Sequence, residues 1–132
     1  MGTVGYLLDT CTLLWAVRGS AQLSIAAMNA LNDSKFKKYV SAVSAYEILY
    51  KHKIGKLPEF EDVAEKFFEY IQEMGVVTLS LDIHHAHYAG KLDWAHRDPF
   101  DRLLATQASV ENLTLVTNDP AFESLSLVKT LW

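Results

Sequence analysis

Three loci in this chain of 132 residues place carboxylates just beyond apolar runs, and a fourth holds two more. Asp9 follows Tyr6-Leu7-Leu8, and Glu47 follows Tyr39-Val40-Ser41-Ala42-Val43. Asp119 follows Leu113-Thr114-Leu115-Val116-Thr117-Asn118, and Asp98 and Asp101 flank Pro99-Phe100. If those runs are parallel strands, the acids meet at one end of a sheet. Ligand crevices of open α/β sheets lie at that end, beyond the carboxyl ends of the strands. Carboxylate oxygens are hard ligands, and several converging without an obvious Lys or Arg partner repel one another unless a cation lies between them. The chemistry expected is that of a divalent ion, Mg2+ or Mn2+, acting on phosphate.

Each acid also has a structural role open to it. Asp9-Thr10 suits the start of a helix through Leu13, Leu14 and Trp15. Ser44-Ala45-Tyr46-Glu47 has the spacing of a capping box, and Asp98 to Asp101 repeats it. Asp119 precedes Pro120 and suits a turn. Capping requires short polar side chains at helix starts, but it has no preference for ionised ones gathered at one sheet end. Helix N-termini also favour ionised carboxylates, so capping and ligation coexist.

Other chemistries are less well supplied. His84, His85, His87 and His96 raise zinc, but His84 and His87 are the only close pair that would share a helix face, and the one cysteine, Cys11, offers no Cys-His set. Exposed or capping histidines are the alternative. No base is marked for Cys11, and no G-x-S-x-G elbow or phosphate-binding glycine loop is present. An aspartyl-phosphate mechanism needs a second aspartate where Cys11 stands.

The elements that must position the acids alternate along the chain. Strands are expected at Val4 to Leu8, Lys38 to Ala42, Val76 to Leu81 and Leu113 to Thr117, with an edge strand from Val128 to Trp132. Helices are expected from Ser24 through Leu31, from a Ser44 cap toward Ile54 with Gly55 as the stop, and from Glu59 to Met74. Asp82 caps a short helix through Ala89, and Asp98-Pro99 opens one reaching Val110. This pattern predicts an α/β fold of three layers, α/β/α, with a mostly parallel central sheet of four or five strands.

Length fits one domain, 1–132, and half the residues are apolar, enough for a packed core. The single cysteine excludes an internal disulfide and suits a reducing compartment. No apolar run approaches the ~20 residues of a membrane span, and the N-terminus lacks a signal-peptide pattern, so a soluble cytoplasmic protein is expected. The net charge of −4 argues against indiscriminate duplex binding. Lys35, Lys37, Lys38, Lys51, His52, Lys53 and Lys56 nevertheless concentrate positive charge around Glu47. They form either a phosphate-holding segment or a solvated face.

Taken together, Leu7-Leu8-Asp9-Thr10, Ser44-Ala45-Tyr46-Glu47-Ile48, the run His96 to Ala108 containing Asp98-Pro99-Phe100-Asp101-Arg102, and Leu115-Val116-Thr117-Asn118-Asp119 resemble the PIN-domain ribonucleases. The nearest likeness is to the VapC-type toxins of type II toxin-antitoxin systems. The likeness covers essentially the whole chain, and the aspartate-rich third motif is its most specific part. It implies an acidic pocket for Mg2+ or Mn2+ and cleavage of single-stranded or looped RNA. Asp9, Glu47, Asp101 and Asp119 match its four acids. Asp98 matches an additional acid, and Thr117 a hydroxyl residue lining the pocket, with Thr10 and Asn118 beside them. Cys11 departs from the histidine common in similar proteins. Lys51, Lys53 and Arg102 are candidate phosphate contacts. The resemblance further implies a small antitoxin partner and a homodimer, with Leu13, Trp15, Tyr46 and Tyr50 as candidates to line an antitoxin groove. A PIN-type RNA-processing or DNA nuclease, a catalytically silent interaction module and a receiver domain are the alternatives. The receiver domain requires a lysine near Asp119, and none is there.

Overall fold

The computed structural model describes residues 2–132. Its five strands are β1 (Gly5–Leu8), β2 (Lys37–Ser41), β3 (Val77–Leu79), β4 (Thr114–Val116) and β5 (Thr130–Leu131). They form one sheet in the order β3-β2-β1-β4-β5, and every pairing is parallel. The chain moves outward from β1 to β2 and β3, then crosses to the other side of β1 for β4 and β5. That reversal places the topological switch point between β1 and β4, where crevices open at the carboxyl ends of strands.

Among the described residues there are seven α-helices: α1 (Thr10–Arg18), α2 (Ile25–Asn32), α3 (Ala42–Lys53), α4 (Glu61–Glu65), α5 (Phe67–Met74), α6 (Ile83–Lys91) and α7 (Pro99–Val110). Side chains alternate faces along a strand. Leu8, Val40 and Val116 accordingly join a core with Leu13, Leu14, Ile48, Phe67 and Ile71. Leu7 and Leu115 join a second core with Trp94, Leu104, Ala105, Ala108 and Phe122. The expected three layers with a parallel sheet are therefore present.

Two local expectations are corrected. The cap of α3 is Ser41, whose hydroxyl accepts from Val43 N at 2.9 Å, because β2 passes into the helix without a loop. Ser44 lies inside the first turn, so no capping box with Glu47 forms. The single helix expected from Glu59 to Met74 is instead a 3-10 turn (Pro58–Phe60) followed by α4 and α5. Lys66, at φ −117° and ψ 36°, breaks the helix, and the break lets Val63, Ala64, Phe67 and Ile71 all reach the core. Asp82 caps α6 as expected, and His85, which is buried, completes the capping box: its Nδ1 accepts from Asp82 N at 3.1 Å while Nε2 lies 3.0 Å from Glu111 Oε2. Both ring nitrogens are thus engaged by protein.

Gly5 shows how tightly the central strand is held. A Cβ there would lie 2.8 Å from Lys37 O and 3.0 Å from the Tyr39 ring. Backbone on a paired strand has little room to yield, so Gly5→Ala is expected to destabilise the fold by about 1–3 kcal/mol. Urea unfolding should show a lower midpoint, and an unchanged midpoint would contradict this packing.

Candidate metal centre

Asp9 leaves β1 and caps α1: its Oδ1 accepts from Thr12 N at 2.7 Å, and the Thr12 hydroxyl donates to Val116 O at 2.8 Å. The residue after β1 is thereby fixed against the end of β4. Asp119 follows β4 and caps the 3-10 turn Pro120–Ser124 through Ala121 N at 2.9 Å, while its own N–H donates to Thr117 Oγ1 at 3.1 Å. Asp98 caps α7 through Phe100 N and Asp101 N. Asp101 does not return to the cap amide; its Oδ2 lies 2.7 Å from His96 Nε2.

These groups converge. Asp9, Thr10, Cys11, Glu47, Lys51, Asp98, Asp101, Asn118, Asp119 and Pro120 line one cavity of about 420 Å3 at the carboxyl ends of β1 and β4. One potential donor atom from each of His96, Asp101 and Asp119 lies within 4.8 Å of the other two. Glu47 reaches the cavity from α3, where Thr10 Oγ1 donates to Oε1 at 2.6 Å and Lys51 Nζ stands 2.5 Å from Oε2. Thr10 is also 3.0 Å from Ser44 Oγ, the contact that occupies the misassigned cap residue. Asp9, Asp98 and Asp119 thus serve as caps and cavity lining at once.

The electrostatics show negative charge in excess of its compensation. Burial pushes the Asp9 carboxyl above its ordinary value, outweighing hydrogen bonds from Thr117 and Thr12, and Asp119 adds to the rise. Burial likewise pushes Asp101 to about 6, against the His96 hydrogen bond, with Asp98 and Asp119 reinforcing the rise. Cys11 is open to solvent, yet desolvation by neighbouring atoms, then Asp9 and Glu47, push its thiol to about 11, so it is no thiolate nucleophile near neutral pH. Burial works against the Lys51 ammonium, but Glu47 outweighs it and the value rises. One lysine is the only cationic side chain among the cavity-lining residues, against five carboxylates. An oxygen-rich, net-negative donor set of this kind fits a hard divalent cation.

Several sequence expectations part from this arrangement. Lys51 is paired with Glu47, so one acid does have a cationic partner, and their i,i+4 spacing carried that signal. Lys53 is exposed on the last turn of α3, outside the cavity lining. Lys35, Lys37 and Lys38 lie at the amino end of β2, the opposite end of the sheet, and Lys38 Nζ donates to the Asp33 and Phe36 carbonyls. Arg102 turns from the cavity toward backbone carbonyls. Leu13 is buried, and Trp15 is half-buried and packs on Trp132 at 5.7 Å. Tyr46 and Tyr50 are exposed and stack at 5.9 Å. An apolar groove does exist, of about 380 Å3, between Ala45, Tyr46 and Leu49 on α3 and Ala64, Phe67 and Phe68 on α4 and α5. The contact of His96 with Asp101 is not legible in the sequence, since a histidine five residues before the acid has no helical spacing to it.

A family model described as PIN domain matches residues 6–127. Among solved structures, the fold resembles a chain of VapBC2 from Rickettsia felis bound to a promoter DNA fragment, with a TM-score of 0.69, 19% identity and 96% of each chain covered. DNA-bound VapBC from Salmonella typhimurium gives a TM-score of 0.69, 22% identity and 98% of each chain covered. FitAcB from Neisseria gonorrhoeae gives 0.65, 19% identity and 96% of each chain covered. No curated protein sequence matches significantly.

Proposed function

The chain belongs to the PIN-domain family, and from that premise we propose that it is a metal-dependent endoribonuclease, the toxin of a type II toxin-antitoxin pair. The observation that carries this reading is the cavity at the β1/β4 switch point, where five carboxylates face one lysine. The resemblance to VapBC and FitAcB complexes supports a toxin and a protein partner. The groove between α3 and α5, with Phe68 82% exposed, suits an apolar antitoxin segment. No helix among the described residues is long and apolar enough to cross a membrane. A single catalytic domain over residues 1–132, acting in the cytoplasm as a homodimer, completes the proposal.

Asp9, Asp101, Asp119 and Glu47 would hold Mg2+ or Mn2+. When bound, such an ion supplies acidity to water and neutralises charge on a phosphoryl group. The caps fix where the carboxylates stand: Asp9 through Thr12 N and Asp119 through Ala121 N. Thr10 and Lys51 orient Glu47, and Lys51 places a positive charge at the cavity wall where a phosphate would enter. Asp98 holds the first turn of α7 and so the backbone of Asp101.

Partner-free protein is expected to cleave a mixed RNA pool with Mn2+ or Mg2+ and to stop on EDTA addition. The same assay with single- and double-stranded DNA separates a ribonuclease from a DNA nuclease. Folded protein that cuts no nucleic acid with either ion would favour a silent interaction module.

A further inference from the structure

Arg102 stands next to Asp101 on α7, yet its guanidinium serves a different stretch of chain. Nη1 donates to Trp94 O at 2.8 Å and His96 O at 3.0 Å, and Nη2 donates to Leu92 O at 2.5 Å and Ala89 O at 3.2 Å. These carbonyls belong to the end of α6 and to the irregular segment 92–98. Irregular backbone has no ladder of its own, so its carbonyls need partners from elsewhere. A planar fork with several donors gathers them at one point. Trp94 pins the same segment: its ring lies 5.6 Å from Phe122 and 4.9 Å from His96, and its Nε1 donates to Ser124 Oγ at 2.9 Å. The segment delivers His96 Nε2 to within 2.7 Å of Asp101 Oδ2.

From this arrangement we infer that His96 and Arg102 are positioning residues of the metal centre: Arg102 folds segment 92–98 into the conformation in which His96 orients the Asp101 carboxylate for a divalent cation. The inference rests on reading the cavity as that centre. Asp101 sits among like charges on Asp98 and Asp119, and its side chain can rotate. Repulsion would turn the carboxylate out of the cavity. The histidine engages one of its two oxygens and fixes the rotamer, leaving the carboxylate with acceptor capacity on the other. Partners of this kind, which hold a ligand rather than the ion, are a general requirement of metal sites.

The test is calorimetric titration of Mn2+ into the metal-free full chain, with Asp101→Asn, His96→Leu, His96→Gln and Arg102→Lys compared to wild type. His96→Leu is expected to weaken Mn2+ binding by roughly 10- to 100-fold. His96→Gln, whose amide nitrogen can donate where Nε2 does, should restore binding to within a few-fold. Arg102→Lys keeps the charge but loses the fork; it should lose affinity as His96→Leu does and speed amide exchange across 92–98. A wild-type melting temperature for His96→Leu would separate positioning from folding. Equal Mn2+ affinity in wild type and His96→Leu overturns the inference and leaves the metal centre standing. Failure of His96→Gln to rescue overturns it too, since the imidazole would then be required as such. If wild type takes up no more Mn2+ than Asp101→Asn, the metal-centre reading itself falls, and this inference with it.

Discussion

Asp9→Asn should give a protein that folds at least as well as wild type and no longer cleaves RNA. Asparagine caps helices about as well as aspartate, so the bond from Thr12 N to the cap residue survives. What disappears is a carboxylate whose burial already holds it above its ordinary pKa, which means that its ionised form is disfavoured in the fold. Removing that charge relieves the metal-free protein, so its melting temperature should match or exceed wild type. The activity should move the other way, falling by roughly 10^2-fold or more, the scale of losing one electrostatic group aimed at the transition state. Asp62 supplies the contrast. It binds Arg18 through both oxygens, at 2.5 Å and 2.9 Å, accepts from Tyr70 OH at 2.7 Å, and is not among the cavity-lining residues. Asp62→Asn should lower the melting temperature and leave cleavage untouched. Loss of stability with retained cleavage in Asp9→Asn would make Asp9 a cap and nothing more.

The difference between those two aspartates bears on what was legible beforehand. Acids following apolar runs could be read from residue order alone, because a parallel sheet places every strand end on one side, and Asp9, Glu47, Asp101 and Asp119 do line one cavity. What lay beyond the sequence was the choice among partners. Ser44 to Glu47 has capping-box spacing, but the helix starts three residues earlier, and that start depends on where β2 stops pairing with β3. The apolar stripe 63, 64, 67, 68 and 71 continues across Lys66 as though one helix carried it, since periodicity counts spacing and is blind to a backbone turn. Arg102 beside Asp101 suggested a phosphate contact, because nothing in one dimension shows that segment 92–98 folds back and offers four carbonyls. His96 escaped for the same reason: its contact with Asp101 is made by a loop, and loops have no period.

Acidity should stabilise the metal-free protein and strip the metal-loaded one of its advantage. Asp101 has a folded-state value of about 6 against an ordinary 3.8, and Asp9 is raised as well. A carboxyl raised in the fold binds its proton more tightly there than in the unfolded chain. Its contribution to stability is therefore fully present below the ordinary value and is lost as pH rises through the folded one. Between about pH 7.5 and 5 the metal-free melting temperature should climb as pH falls, the unfolding free energy rising by at most ~1.4 kcal/mol per pH unit for each proton taken up. Asp62 and Asp82 are lowered in the fold and act in the opposite sense, but only as pH falls below the ordinary carboxylate value. The two effects occupy separate windows. A divalent cation needs the same carboxylates ionised, so the rise in melting temperature given by saturating Mn2+ should be large at pH 7.5 and fade below about 6, where protons compete for Asp101. The curves with and without metal should converge toward pH 5, and Asp101→Asn should flatten much of the metal-free rise. A metal-free melting temperature that falls steadily from pH 7.5 to 5, or an Mn2+ shift of equal size at both ends, would mean that the charge gathered at this cavity is not what burial and mutual repulsion make it. The ion's binding energy would then have no strained carboxylates to relieve.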